Sequence, residues 1–168
     1  MNTLLKICFV ASCAFCLTAC EPKDRRPGLW LSGEEFTKPV SDWHFTDQQQ
    51  EIFLETHTWY GIPHSVTTVV ATRAGKLYVP SLYTSRDDHW PDAKYWNRNV
   101  VDDARVRLKI DGKLYPRKAV LVTDAEEFAA AFEALARKYP FWADLLKQDP
   151  AQRPEFVIVR MDPRYAAP

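Results

Sequence analysis

Between Arg105 and Ile110 the sequence alternates strictly, with Val106, Leu108 and Ile110 on one side and Arg105, Arg107 and Lys109 on the other. A period of two belongs to a strand with one face in a core and the other in solvent, because successive side chains of a strand point to opposite faces. Asp111-Gly112 follows, a pair that readily adopts the positive φ angles of a two-residue hairpin turn. Lys113–Val122 then returns as the partner strand. Upstream, Glu51–Thr58 and Ser65–Arg73 are β-rich runs bridged by Tyr60-Gly61-Ile62-Pro63, which has turn chemistry, and Ala74-Gly75 turns the chain into a further strand over Lys76–Tyr83. Phe156–Met161 is a last apolar strand. Antiparallel hairpins in this number leave exposed edges, which favours closure into a barrel.

Helices punctuate the strands. Thr123-Asp124-Ala125-Glu126 fits a capping box, and Ala125, Phe128, Ala129, Phe132, Leu135 and Ala136 then recur at helical spacing. Tyr139-Pro140 ends that helix, Phe141–Lys147 predicts a second short one, and Ala93–Val101 a third between strands. The domain is therefore mainly β with helices, of the α+β class. No repeat or low-complexity segment interrupts it.

All four cysteines, Cys8, Cys13, Cys16 and Cys20, fall in the first twenty residues, whereas a disulfide scaffold would spread them through the fold. Lys6 precedes the uncharged, mostly apolar run Ile7–Ala19, which is shorter than the roughly 20 residues of a membrane-spanning helix and suits a secretory signal. The run ends in Leu17-Thr18-Ala19-Cys20, which resembles a bacterial lipobox. Residues 1–19 are then a lipoprotein signal peptide. Residues 20–27 are a lipidated Cys20 with a polar, proline-punctuated tether, and 28–168 form the domain. The expected location is the cell envelope, lipid-anchored. By resemblance to Gram-negative lipoproteins, Glu21 after the cysteine points to the outer membrane facing the periplasm.

Charge and motif narrow the function. Lys plus Arg and Asp plus Glu both number 22, which gives no support to a nucleic-acid binder. The five glycines form no phosphate-cradling motif. His57 and His64 flank one turn and could approach each other, but no third ligand stands at metal-site spacing, so no metal is expected. Ser65 beside His64 lacks the GxSxG elbow of a hydrolase. Trp59, Tyr60, Tyr83, Trp90, Tyr95 and Trp96 gather around the hairpin ends and the inter-strand helix. They could line a pocket for a small planar ligand or fill a barrel core, the latter more so for Trp96. Lys94, Arg98, Arg105, Arg107, Lys109, Lys113, Arg117 and Lys118 make a basic stretch able to hold an anionic tail or simply to face solvent.

Trp96-Asn97-Arg98-Asn99-Val100-Val101-Asp102-Asp103-Ala104-Arg105-Val106 resembles the W-x-x-N-L-x-x-N-P-x-V stretch of the deazaflavin-dependent nitroreductase family, a branch of the flavin-binding split β-barrels. The similarity continues through Ile110–Tyr115, Tyr139-Pro140-Phe141 and Arg153–Ile158. Upstream, Gly61–Val66 resembles the family's G-x-P-R-x-T turn, with His64 where the family carries Arg. The resemblance implies a six-stranded antiparallel split β-barrel, commonly a homodimer, with FMN or a deazaflavin in a groove between barrel and inter-strand helix. It sets Ser81 and Tyr83 near the ring, His64 and Arg98 toward phosphate, and Trp90 and Trp96 around the pocket, with Ser65 also among the cofactor-binding residues. Catalytic residues stay unassigned. The implied function is an oxidoreductase reducing quinones or nitroaromatics. The alternative is a non-catalytic envelope lipoprotein binding a planar ligand or a protein partner through the same groove.

Overall fold

The structure, a computed structural model, describes residues 28–85 and 87–164. The expected signal peptide and tether, and the expected lipidation site Cys20, lie outside the described residues. Eight strands form one sheet: β1 (Glu34–Glu35), β2 (Ile52–Thr56), β3 (His64–Thr68), β4 (Ala71–Arg73), β5 (Lys76–Leu82), β6 (Arg105–Ile110), β7 (Lys113–Leu121) and β8 (Phe156–Pro163). The helices are α1 (Tyr95–Asp102), α2 (Ala125–Lys138) and α3 (Pro140–Lys147). The strand order is β3-β2-β6-β7-β8-β5-β4, antiparallel throughout, with β1 added in parallel to the start of β7.

The expected six strands become eight for two reasons. The run Ser65–Arg73 is two strands, because β3 pairs with β2 and β4 pairs with β5, at opposite ends of the strand order. Only Val69 and Val70 separate them, so the two ends of the sheet must lie side by side. The sheet therefore curls into a half-barrel. The second addition, β1, has two residues, too few for any periodicity to reveal it. It pairs with Lys113 and Leu114, while β8 takes Arg117 to Leu121 of the same strand.

The seam at Val70 is closed by α2 and α3. The Tyr139 hydroxyl accepts from the Val70 N–H (3.3 Å) and donates to its carbonyl (3.1 Å), and Lys138 Nζ donates to the carbonyls of Val70 (2.9 Å) and Thr46 (2.6 Å). Buried backbone groups without a strand partner thus receive side-chain ones.

Both hairpin turns follow their sequences. Asp111 (φ 49°) with Gly112 (φ 75°) and Ala74 (φ 50°) with Gly75 (φ 74°) occupy the left-handed region that a tight turn between twisted strands requires. The concave face of the sheet buries Leu54, Leu77, Val79, Val106, Leu108, Ile110 and Val159 around Trp96 and Val100 of α1. The convex face carries Tyr78 and Ile158 against Phe132, Leu135, Trp142 and Leu145 of α2 and α3. Leu77, Tyr78 and Val79 alternate between the two cores, as the strand period demands. Each fully buried aliphatic side chain contributes about 1.5–3 kcal/mol.

One expectation shifts by a residue. The N-cap of α2 is Asp124, whose carboxylate accepts from the Glu127 N–H (2.8 Å), rather than Thr123 in a box with Glu126. Asp is as good a cap as Thr, and taking Asp124 as cap places both Glu126 and Glu127 in the first turn, where the helix dipole favours them.

The polar face of β6 is covered in part. Gly28 bridges to Ser65 of β3, the Leu31 N–H donates to Glu55 Oε2 (2.7 Å), and Glu55 is bound by Arg107 through Nε (2.8 Å) and Nη2 (2.9 Å). Glu55 and Arg107 are register partners on β2 and β6. The segment entering the fold covers the Glu55 end of this ion pair, and Arg107 remains partly exposed.

Candidate functional site

Helix α1 stops one end of the half-barrel. Trp96 and Val100 point into the core, and two asparagines on the same buried side carry the polar contacts. Asn97 Oδ1 accepts from Ser81 Oγ of β5 (3.1 Å). Asn99 Nδ2 donates to Thr56 Oγ1 of β2 (2.8 Å), which in turn donates to the His64 carbonyl (3.1 Å). Strands β2 and β5 are separated by β6, β7 and β8 in the sheet. The helix therefore joins parts of the barrel that the sheet itself keeps apart.

Two groups of the expected residues result. On one side of the start of α1 the His64 ring meets Tyr95 edge-on (centroids 5.1 Å), and Arg98 lies over the Tyr95 ring (5.5 Å). The Tyr95 hydroxyl donates to that of Tyr60 (3.1 Å), and Trp59 stands edge-on to Tyr60. Burial lowers the pKa of His64, which is therefore neutral at pH 7. On another side of the same first turn, Ser81 and Tyr83 converge on Asn97. Burial pushes the Tyr83 hydroxyl up to about 12, with Ser81 and Asn97 near enough to oppose the rise, so Tyr83 stays a proton-bearing group. A cavity of ≈ 560 Å³ opens at Tyr83, bounded by Thr84, Ser85, Gln152, Arg153 and Glu155.

Several buried polar atoms around the start of α1 have no hydrogen-bond partner among the described residues: His64 Nδ1, Tyr83 Oη and Asn97 Nδ2. Ser65 Oγ is also unpartnered there, but it lies on the other face of β3, beside Glu55 and under Gly28. Native interiors leave few such atoms, and each costs about 1–3 kcal/mol unless something satisfies it.

The start of α1 adds a second peculiarity. Lys94 is its N-cap, no side chain caps it, no acid occupies its first turn, and Arg98 does. Cations there oppose the helix dipole, which favours anions at that end.

Trp96 does not line a groove. It sits in the barrel core with Trp90 edge-on to it (6.4 Å). The basic stretch is largely spent on structure. Arg105 Nε binds Asp103 (2.8 Å), holding that carboxyl down at about 2, Arg107 binds Glu55, and the Arg117 guanidinium stacks over Trp43 (4.6 Å). The two histidines of the β2–β3 turn take separate partners, since His57 Nδ1 contacts the Arg105 carbonyl (2.9 Å). Asn97 and Asn99 were not anticipated. Their signal is polar residues within a helix whose Trp96 and Val100 must be buried, which becomes readable only once that face is known.

These residues suit a planar heteroaromatic group bearing an anion. Aromatic rings flank unpartnered polar atoms, and the anion would meet Arg98, Lys94 and the uncapped amides of α1.

No family model and no curated protein matches the chain. Solved structures do. The chain is similar to the heme storage protein HutZ from Vibrio cholerae, with a TM-score of 0.52 and 14% identity over 73% of this chain and 87% of that one. It is also similar to a putative pyridoxamine 5'-phosphate oxidase from Listeria innocua (TM-score 0.48, 16% identity, 73% and 90% covered). An F420-H2 dependent reductase gives a TM-score of 0.47 at 18% identity, with 66% and 94% covered. What the chain shares with HutZ at this identity is the fold: an antiparallel sheet curled into a half-barrel, with helices against it.

Proposed function

We propose that the chain binds a flavin- or deazaflavin-class ring beside α1 and serves as an oxidoreductase of the cell envelope, held at the membrane by lipid on Cys20. The observation that carries the reading is the set of buried polar atoms without a partner among the described residues, His64 Nδ1, Tyr83 Oη and Asn97 Nδ2, around the start of one helix. A ring of this class, when bound, supplies hydride transfer to an acceptor such as a quinone or nitroaromatic. Tyr83, protonated through the physiological range, donates a hydrogen bond. Neutral His64 offers Nδ1 as donor or acceptor according to its tautomer. Ser81 fixes the Asn97 amide so that its NH₂ faces away from the Ser81 bond. Arg98 and Lys94 hold the phosphate.

Titrating the purified protein with FMN, a deazaflavin coenzyme and hemin, by absorbance and fluorescence quenching, tests this reading. Expected is binding of one of the first two, weakened about tenfold or more by Arg98→Ala, the loss of one charge-assisted contact. Absence of binding to both, or a hemin complex abolished by His64→Ala, would overturn it. Binding without reduction of any quinone or nitroaromatic by the reduced ring would favour the non-catalytic alternative. Palmitate labelling that disappears in Cys20→Ala checks the anchor.

A further inference from the structure

The loop joining β2 to β3 runs His57-Thr58-Trp59-Tyr60-Gly61-Ile62-Pro63 and contains no carboxylate and no Lys or Arg. Three of its large residues are turned outward: Trp59 is 87% exposed, Tyr60 46% and Ile62 43%. The loop is braced in that shape, since the Gly61 N–H donates to the Thr58 carbonyl (3.1 Å) and Thr58 Oγ1 to the Ile62 carbonyl (2.6 Å). Arg98 stands exposed beside it over Tyr95. Three neighbouring exposed apolar or aromatic side chains on one braced loop form the kind of patch found at interaction surfaces.

The place where the chain enters the domain indicates what covers it. Gly28 is hydrogen-bonded on both sides to Ser65, two residues beyond the loop (3.0 and 2.9 Å). Seven residues lie between Cys20 and Gly28, and the eight Cα steps from one to the other reach about 28 Å when fully extended. A compact domain of this size is about 35–40 Å across. The tether is thus too short to let the far side of the domain turn to the membrane. With Cys20 acylated, the faces near Gly28 are the ones within reach of the membrane, and the loop, two residues from Ser65, lies among them.

We infer that the β2–β3 loop is a membrane-docking surface, with Trp59, Tyr60 and Ile62 entering the interfacial layer of the bilayer. Trp and Tyr concentrate at that depth because their rings are apolar and their N–H and O–H groups remain hydrated. The inference rests on the proposed acylation of Cys20. Docking in this pose sets the Tyr60–Tyr95–His64 group at the membrane surface, where an acceptor dissolved in lipid would reach it.

The test uses the full acylated chain in vesicles of phosphatidylethanolamine and phosphatidylglycerol doped with phosphatidylcholine brominated near the glycerol end of its acyl chains. Expected is quenching of tryptophan emission that falls by about half or more in Trp59→Phe, with an unchanged melting temperature because Trp59 supports no core. Equal quenching in both proteins would overturn the proposal. So would Trp59 shielded from aqueous acrylamide without vesicles in a chain that sediments as a dimer, which assigns the face to a second copy. Intact mass reads the acylation separately. If Cys20 proves unmodified the anchoring reading falls, and a Cys20→Ala chain with an N-terminal histidine tag held on nickel-chelating lipid decides whether the loop still docks.

Discussion

His64 stands half-buried at the start of β3, with its ring against Tyr95 and one nitrogen unpartnered. Burial puts its pKa in the folded chain below the ordinary value of 6.5. As pH falls through 6.5 the unfolded chain takes up the proton first, so the folded state loses stability between that value and the lower folded pKa. Above it the ring is neutral in both states and the effect vanishes. His64→Gln removes the titration and keeps a polar side chain. Its urea midpoint should fall less than that of the parent between about pH 7 and 5. A decline identical in both proteins would show that His64 does not contribute. At this scale the sequence reveals residue types well: His64, Ser81, Tyr83 and Arg98 stand at positions that suggested a site. Their partners are another matter. Nothing in the order of residues shows that Ser81 bonds to Asn97 and that Tyr83 stands buried beside them.

Among the elements, β2 and β6 are locked by the Glu55–Arg107 pair, with Glu55 only 1% exposed. Removing one partner leaves a charge in a place that water cannot reach. Arg107→Met should therefore cost about 3–5 kcal/mol. The double change Glu55→Leu with Arg107→Met should recover most of that loss, and chemical denaturation of the three variants measures the difference. Strict alternation announced β6 correctly and placed Arg107 on its outer face. The alternation could not show that residues 28–35 lie over that face, because a covering segment leaves its mark in tertiary contacts alone. The break between β3 and β4 was hidden for a related reason. Val69 and Val70 are good strand residues with no glycine or proline between them, and the chain changes partners there without changing character. Asp111-Gly112 was legible because its chemistry is local to the turn.

For the molecule as a whole, closure depends on the join at Val70, where the two ends of the sheet meet without sheet hydrogen bonds between β3 and β4. Tyr139 supplies the missing partners from the junction of α2 and α3. Tyr139→Phe keeps the ring in its core and removes the hydroxyl, leaving the Val70 N–H unsatisfied in a buried place. A loss of about 1–3 kcal/mol is expected, with faster amide exchange at Val70 than at Leu54 in the sheet interior. Equal protection at both sites would mean that the join is held by packing alone. The barrel was legible in outline from its hairpins. Its closure was not, because Tyr139 was readable only as the end of a helix.

The strand order has one more consequence, in the sequence of events as the chain is made. Strand β8 lies between β7 and β5, and it is the last of the described strands to be synthesised. Until residues 156–163 exist, the hairpins on one side of it and those on the other share no hydrogen-bonded edge, however complete each is. The domain cannot assemble progressively from its N-terminal end. It becomes a single sheet only when its final strand slots into the middle.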